Sequence, residues 1–133
     1  MVDPVITNVN LGSFPIKNAA YQDDILTLAG ADTIAKGTIL ARDSVSLNLV
    51  LYVKGGSTNE NGIPKAILTS ELVVTGADDF PVRVCIAGEV DKGLLIIDAD
   101  GDDSNIDAAV RDELRDYGIV PLDVAELNFQ DNQ

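Results

Sequence analysis

The best candidates for chemistry in this chain are carboxylates. Asp98, Asp100 and Asp102 alternate in Asp98-Ala99-Asp100-Gly101-Asp102-Asp103, the spacing with which a calcium-binding loop opens. The twelve-residue pattern then fails twice. Asp103 holds the sixth position, where glycine makes the turn, and Ala109 holds the twelfth, where a bidentate glutamate closes the shell. The three aspartates therefore stand as weak metal candidates against a simpler reading, a solvated acidic turn ahead of a helix whose N-terminal dipole favours negative charge. No metal is expected. A carboxylate pair for glycoside chemistry could be drawn from the same run, but no spacing singles one out.

Other reactive groups are few. The sequence has no histidine, which removes Ser-His-Asp and Cys-His triads and every histidine-ligated metal. The single cysteine, Cys85, has only Arg83, two residues away on the same strand face, to stabilise a thiolate. It reads as a small buried side chain, and a lone cysteine leaves no intrachain disulfide. Lys54-Gly55-Gly56-Ser57-Thr58 has the letters of a phosphate loop but lacks the spaced glycines and the strand-to-helix setting, so it reads as a hairpin loop. The expectation is a protein that is not an enzyme and takes no cofactor.

Composition sets the frame around these residues. The 133-residue chain is 46% hydrophobic but only 5% aromatic, with no tryptophan, so a core has to be built from Val, Ile, Leu and Ala. That length suits one domain burying roughly two-thirds of its unfolded surface around one core. Nine basic residues against 22 acidic ones give a net charge of −13 and a pI near 4.1. Such a balance argues against nucleic acid or an anionic membrane as partner. No charged-then-apolar leader opens the chain, and no apolar run approaches the eighteen or so residues that span a bilayer. Synthesis in a reducing cytoplasm without export is expected.

The elements read mostly as strands. Val5, Thr7, Val9 and Leu11 alternate with Ile6, Asn8 and Asn10, an extended period-2 segment. Phe14-Pro15 keeps the chain extended, and an irregular arm is expected to run to about Ala20. Strands are then expected at 24–29, 38–41, 46–54, 66–69, 71–75 and 82–90, with Leu94 to Ile97 as a short run ending the sheet. Asn61-Gly62 marks a turn through residues able to take positive φ. Ile106, Val110, Leu114 and Tyr117 share one helical face, with Ser104 as the expected N-cap, Asp107 at the capping-box position and paired to Arg111, and Gly118 as the C-cap. This is an α+β chain, mostly β, forming a small barrel-like or sandwich-like domain with one principal helix. Its organisation reads as an extended N-terminal arm over 1–20, a core domain over 21–121 and an acidic C-terminal tail over 122–133.

Four pieces recur in order: Lys36-Gly37-Thr38-Ile39-Leu40, Ala66-Ile67-Leu68, Gly88-Glu89-Val90, and a helix closing on Gly118-Ile119-Val120. Over about residues 25–120 the chain resembles the head decoration proteins of tailed bacteriophages. The resemblance implies a β-tulip-type fold and a structural virion protein, a homotrimer at local threefold positions on the outside of an expanded capsid, which it stabilises. The partners implied are the major capsid protein and its own copies. By the same resemblance Val5, Ile6, Thr7, Val9 and Leu11 form the capsid-binding arm, while the 98–103 loop resembles an insertion. A trimer would triple the −13 charge, so its contacts have to be apolar or screened, and salt should strengthen it. The rival readings are a small trimeric β-rich binding module and an Asp-dependent enzyme. A carrier domain would need a lysine centred in a tight hairpin, whereas Lys65 follows a proline and Lys92 precedes a glycine.

Overall fold

The computed structural model describes residues 16–122. In chain order the strands are β1 (Ile16–Leu28), β2 (Asp32–Ile34), β3 (Ile39–Arg42), β4 (Leu49–Leu51), β5 (Pro64–Leu68), β6 (Leu72–Val74), β7 (Asp78–Asp91) and β8 (Ile119–Leu122). Among the described residues a single α-helix, α1 (Ala108–Asp116), precedes β8. The main sheet runs β1-β4-β3-β5-β7, and β1 pairs again with β7 from Ile16↔Val90 to Leu28↔Asp78, which closes five strands into a small barrel. The far edge of β7 is used twice, by β5 at Val84 and Cys85 and then by β8, in parallel, from Gly88 to Asp91. β2 and β6 form a separate antiparallel pair.

Alternation along the barrel strands sends side chains into two cores rather than the single one expected from length. Leu26, Leu28, Leu40, Leu49, Ala66, Leu68 and Val84 face inward and meet Ile34 and Val74 from the β2–β6 pair. Ile39, Ala41, Tyr52, Ile67, Cys85 and Val90 face outward, where Ile106, Val110, Leu114 and Ile119 cover them. This explains why β3 and β5 are almost continuously apolar: both of their faces are buried, as in sheets covered by helices. Each fully buried Leu or Ile contributes about 1.5–3 kcal/mol of transfer free energy, so both layers hold the barrel closed.

Local readings move in four places. Residues 16–20, expected to be irregular, already belong to β1, because β7 continues far enough to pair with them. The strand expected at 46–54 shrinks to Leu49–Leu51, since Asp43 closes a loop before it and Leu47 takes φ +66. Positive φ in the next loop falls on Gly55, Asn59 and Glu60, not on Asn61 and Gly62. Gly62 is instead required because any Cβ there would strike the Gly56 backbone. The helix starts three residues later than expected: Asp107, not Ser104, is the N-cap, accepting from the Val110 amide at 3.1 Å. The other oxygen of Asp107 pairs with Lys54 at 2.8 Å, a long-range partner that displaces the expected local one, Arg111. Gly118 does stand at the helix end with φ +93, its amide donating to the Arg115 carbonyl. Leu94 to Ile97 follows a 3-10 turn, Lys92–Leu94, and touches the sheet through a single bridge, Ile96 to Thr38. No helix among the described residues is long and apolar enough to cross a membrane.

Candidate functional site

The motif residues converge on backbone joints. Gly37 has φ +95, and a Cβ there would collide with the Leu94 carbonyl oxygen, so both dihedral and space demand glycine. Its amide donates to the Leu68 carbonyl at 2.8 Å and its carbonyl accepts from Ile96 at 2.9 Å, so one residue stitches β5 to the segment after β7. Thr38 is fully buried, and its hydroxyl donates to the Ala35 carbonyl at 2.7 Å. Gly88, at φ +126, donates to the Gly118 carbonyl at 3.0 Å, where β8 joins β7. The Lys-Gly-Thr turn and the two later glycine motifs are thus joints of the barrel, and none of them presents a reactive group.

The chemical candidates disperse. Cys85 is buried against the helix layer, its thiol donates to the Ala87 carbonyl at 3.2 Å, and burial pushes its pKa up, so it is an inert core residue. Arg83, its proposed activator, pairs with Asp23 at 3.1 Å on an exposed face. Lys54, from the phosphate-loop look-alike, is committed to Asp107 and to the Asn105 carbonyl. Asp98 is half-buried, and burial together with Asp32 raises its pKa. Asp100 and Asp102 are exposed, and Asp102 is held low by the hydroxyl and amide of Ser104. Among the described residues, no group of three or more His, Cys, Asp or Glu side chains is placed to hold a metal ion.

One buried polar atom has no signal in the sequence. The Tyr52 hydroxyl, under α1, has no hydrogen-bond partner, and its pKa is pushed up to about 12 by burial and then by the charges of Glu113 and Asp107. Raising the pKa this way keeps the phenol protonated and unreactive.

The candidate arm residues Val5, Ile6, Thr7, Val9 and Leu11 lie outside the described residues, and what the structure places is the arm's root. Ile16 pairs with Val90 on one side of β7, while Pro121 and Leu122 pair with Val90 and Asp91 on the other. With strands about 4.8 Å apart, the two ends of the described chain lie about 10 Å from each other, at the same end of one sheet. That end is braced. Asp91, buried, accepts from the Gly93 amide at 2.9 Å, and Lys92 reaches Asp103 at 3.4 Å across the acidic loop. Beyond its single partner Leu49 at Leu26, the second edge of β1 has no strand beside it among the described residues.

A closed five-strand barrel with one covering helix among the described residues, with its motif glycines at the joints and both ends of the described segment at one rim, defines a small β-barrel scaffold domain. The family model of the bacteriophage lambda head decoration protein D matches residues 8–119, and the chain belongs to this family. No curated protein and no solved structure matches it.

Proposed function

We propose that this protein is a structural component of a phage virion that binds the outer surface of the expanded capsid as a homotrimer at local threefold positions and stabilises the head. The observation that carries the reading is the family match, which begins inside the alternating arm at residue 8 and runs into β8. The arm, with Val5, Ile6, Thr7, Val9 and Leu11, is the capsid-binding element. An extended alternating segment gains main-chain hydrogen bonds by adding to a sheet edge of the major capsid protein, and its alternate side chains supply specificity. The braced rim from which it departs transmits load to the barrel. Many modest contacts across capsomer junctions then share the outward pressure of packaged DNA through avidity, and no catalytic step is assigned.

The test is co-sedimentation with expanded, undecorated heads. The full chain is expected to bind at micromolar concentration, and absence of binding overturns the decoration role. A variant lacking residues 1–15 leaves β1 intact, so its folding is preserved and its binding is expected to be lost. Normal binding by that variant overturns the arm assignment alone.

A further inference from the structure

The most exposed large apolar side chain of the described residues is Val45, at 75%; Val73 on β6 follows at 65% and Leu47 at 64%, and of these Val45 and Leu47 share the loop joining β3 to β4. Nothing in the fold uses them. The loop is nonetheless firmly held: Asp43 accepts from the Val45 and Ser46 amides at 2.8 and 2.9 Å, and the Leu47 amide donates to the Asp43 carbonyl at 2.9 Å. Arg42 binds the Leu47 carbonyl at 2.9 Å while pairing with Asp24 at 2.7 Å, and the Asn48 side chain donates through Nδ2 to the Thr27 hydroxyl at 3.1 Å. The loop is therefore tied to β1 at positions 24 and 27, on either side of the exposed Ile25, whose cross-strand partner Pro81 is exposed as well. A tip already ordered loses little entropy on docking.

Charge decides the occupant. Ser44 to Val53 is the longest uncharged run within 16–122, Ile25 to Ala31 is the next longest, and the Asn48–Thr27 hydrogen bond joins them. The two acids leading into the second run, Asp23 and Asp24, are each matched by an arginine. A chain of net charge −13 that meets its own copy brings like charges together, so the contact belongs where charge is sparse; Asp43 and Asp79 at its margin are held by the Val45 and Ser46 amides and by the Thr27 hydroxyl, and salt screens them. We infer that Val45 and Leu47, with Ile25 and Pro81 beside them, form the surface that receives a second copy of this chain. The inference rests on the homotrimer reading above and names the surface that makes it.

Sedimentation velocity of the wild type, a Val45→Asp/Leu47→Asp double variant and Leu47→Asn tests it. The wild type is expected to self-associate, more strongly as salt is raised, and the double variant to do so about tenfold more weakly or less. Leu47→Asn suits the positive φ, so in dilute solution it should fold at least as stably as the wild type while associating more weakly. Unchanged association in both variants overturns the inference, and so does a wild type that stays monomeric at every concentration. Head binding separates the two readings: a wild type that associates through this loop but ignores heads sinks the decoration role alone, and one that decorates heads as separate monomers sinks the self-contact alone. Loss of head binding in the double variant with association unchanged would assign the loop to the capsid and overturn the inference.

Discussion

Replacing Gly37 by alanine attacks the fold where geometry and motif coincide. At φ +95 a side chain pays a left-handed penalty of about 1–2 kcal/mol. The added Cβ also meets the Leu94 carbonyl oxygen, a backbone atom that cannot swing aside as a side-chain tip does. Relief requires displacing the turn, which endangers the hydrogen bonds to Leu68 and Ile96, each contributing about 1 kcal/mol. The sum is about 3–4 kcal/mol, a large part of the 5–15 kcal/mol by which a domain is normally stable. Urea unfolding followed by circular dichroism in dilute solution measures it, with two glycines as internal references. Gly101 has φ +74 but open space around its Cβ, so Gly101→Ala should show the dihedral penalty alone, about 1–2 kcal/mol. Gly30 has open space and no positive φ, and Gly30→Ala should be neutral or stabilising by up to about 1 kcal/mol. A Gly37→Ala variant no less stable than Gly101→Ala would refute the collision argument, and one within about 0.5 kcal/mol of wild type would refute the whole account of the joint.

Three further outcomes follow from named contacts. Tyr52→Phe deletes a buried hydroxyl that has no partner, so stability is expected to hold or to rise by up to about 1 kcal/mol in the same urea assay, and a loss beyond that would mean the hydroxyl is satisfied. Asp107→Ala should lower the melting temperature by removing both the helix cap and the Lys54 pair, Asp107→Asn should keep the cap, and Ser104→Ala should change little; the reverse ranking would restore Ser104 as the cap. The hydrogen bond from Arg42 holds the Asp24 carboxyl below the usual carboxylate range. A depressed folded value means that its stabilisation is present above the unfolded pKa, about 3.9, and is lost as pH falls through the folded value. Melting temperature measured from pH 6 down to about 2 should therefore fall less steeply in Arg42→Met than in the wild type, and parallel curves would show the pair to be inert.

Some of this was legible without a fold. The short apolar runs at 38–41, 66–69 and 82–90 fall on β3, β5 and β7, and the period-3.6 stripe Ile106, Val110, Leu114 is buried, its last two residues on α1. Cys85 is as inert as its surroundings suggested. The expected strand at 46–54 hid the loop that now carries Val45 and Leu47, because an apolar alternating run looks the same in a strand and in a braced turn. The signal available was Asp43 with two serines, a combination that closes turns through its own side chains.

What the amino-acid order determined by itself is whatever depends on near neighbours: strand and helix periods, the positive-φ glycine ending α1, the lack of histidine, and the net charge of −13. Tertiary structure decided what depends on residues far apart in the chain. It chose closure of β1 onto β7, and with it two cores in place of one. It put the helix cap at Asp107 and gave that residue's other oxygen Lys54 as a partner 53 positions away. It also placed Gly37 against the Leu94 carbonyl and set Ile16 and Leu122 on either side of the same end of β7. The reason is that local patterns fix which face of an element is apolar, whereas its partner is selected by burying that face and satisfying backbone hydrogen bonds across long loops, a choice that exists only once the whole chain has closed.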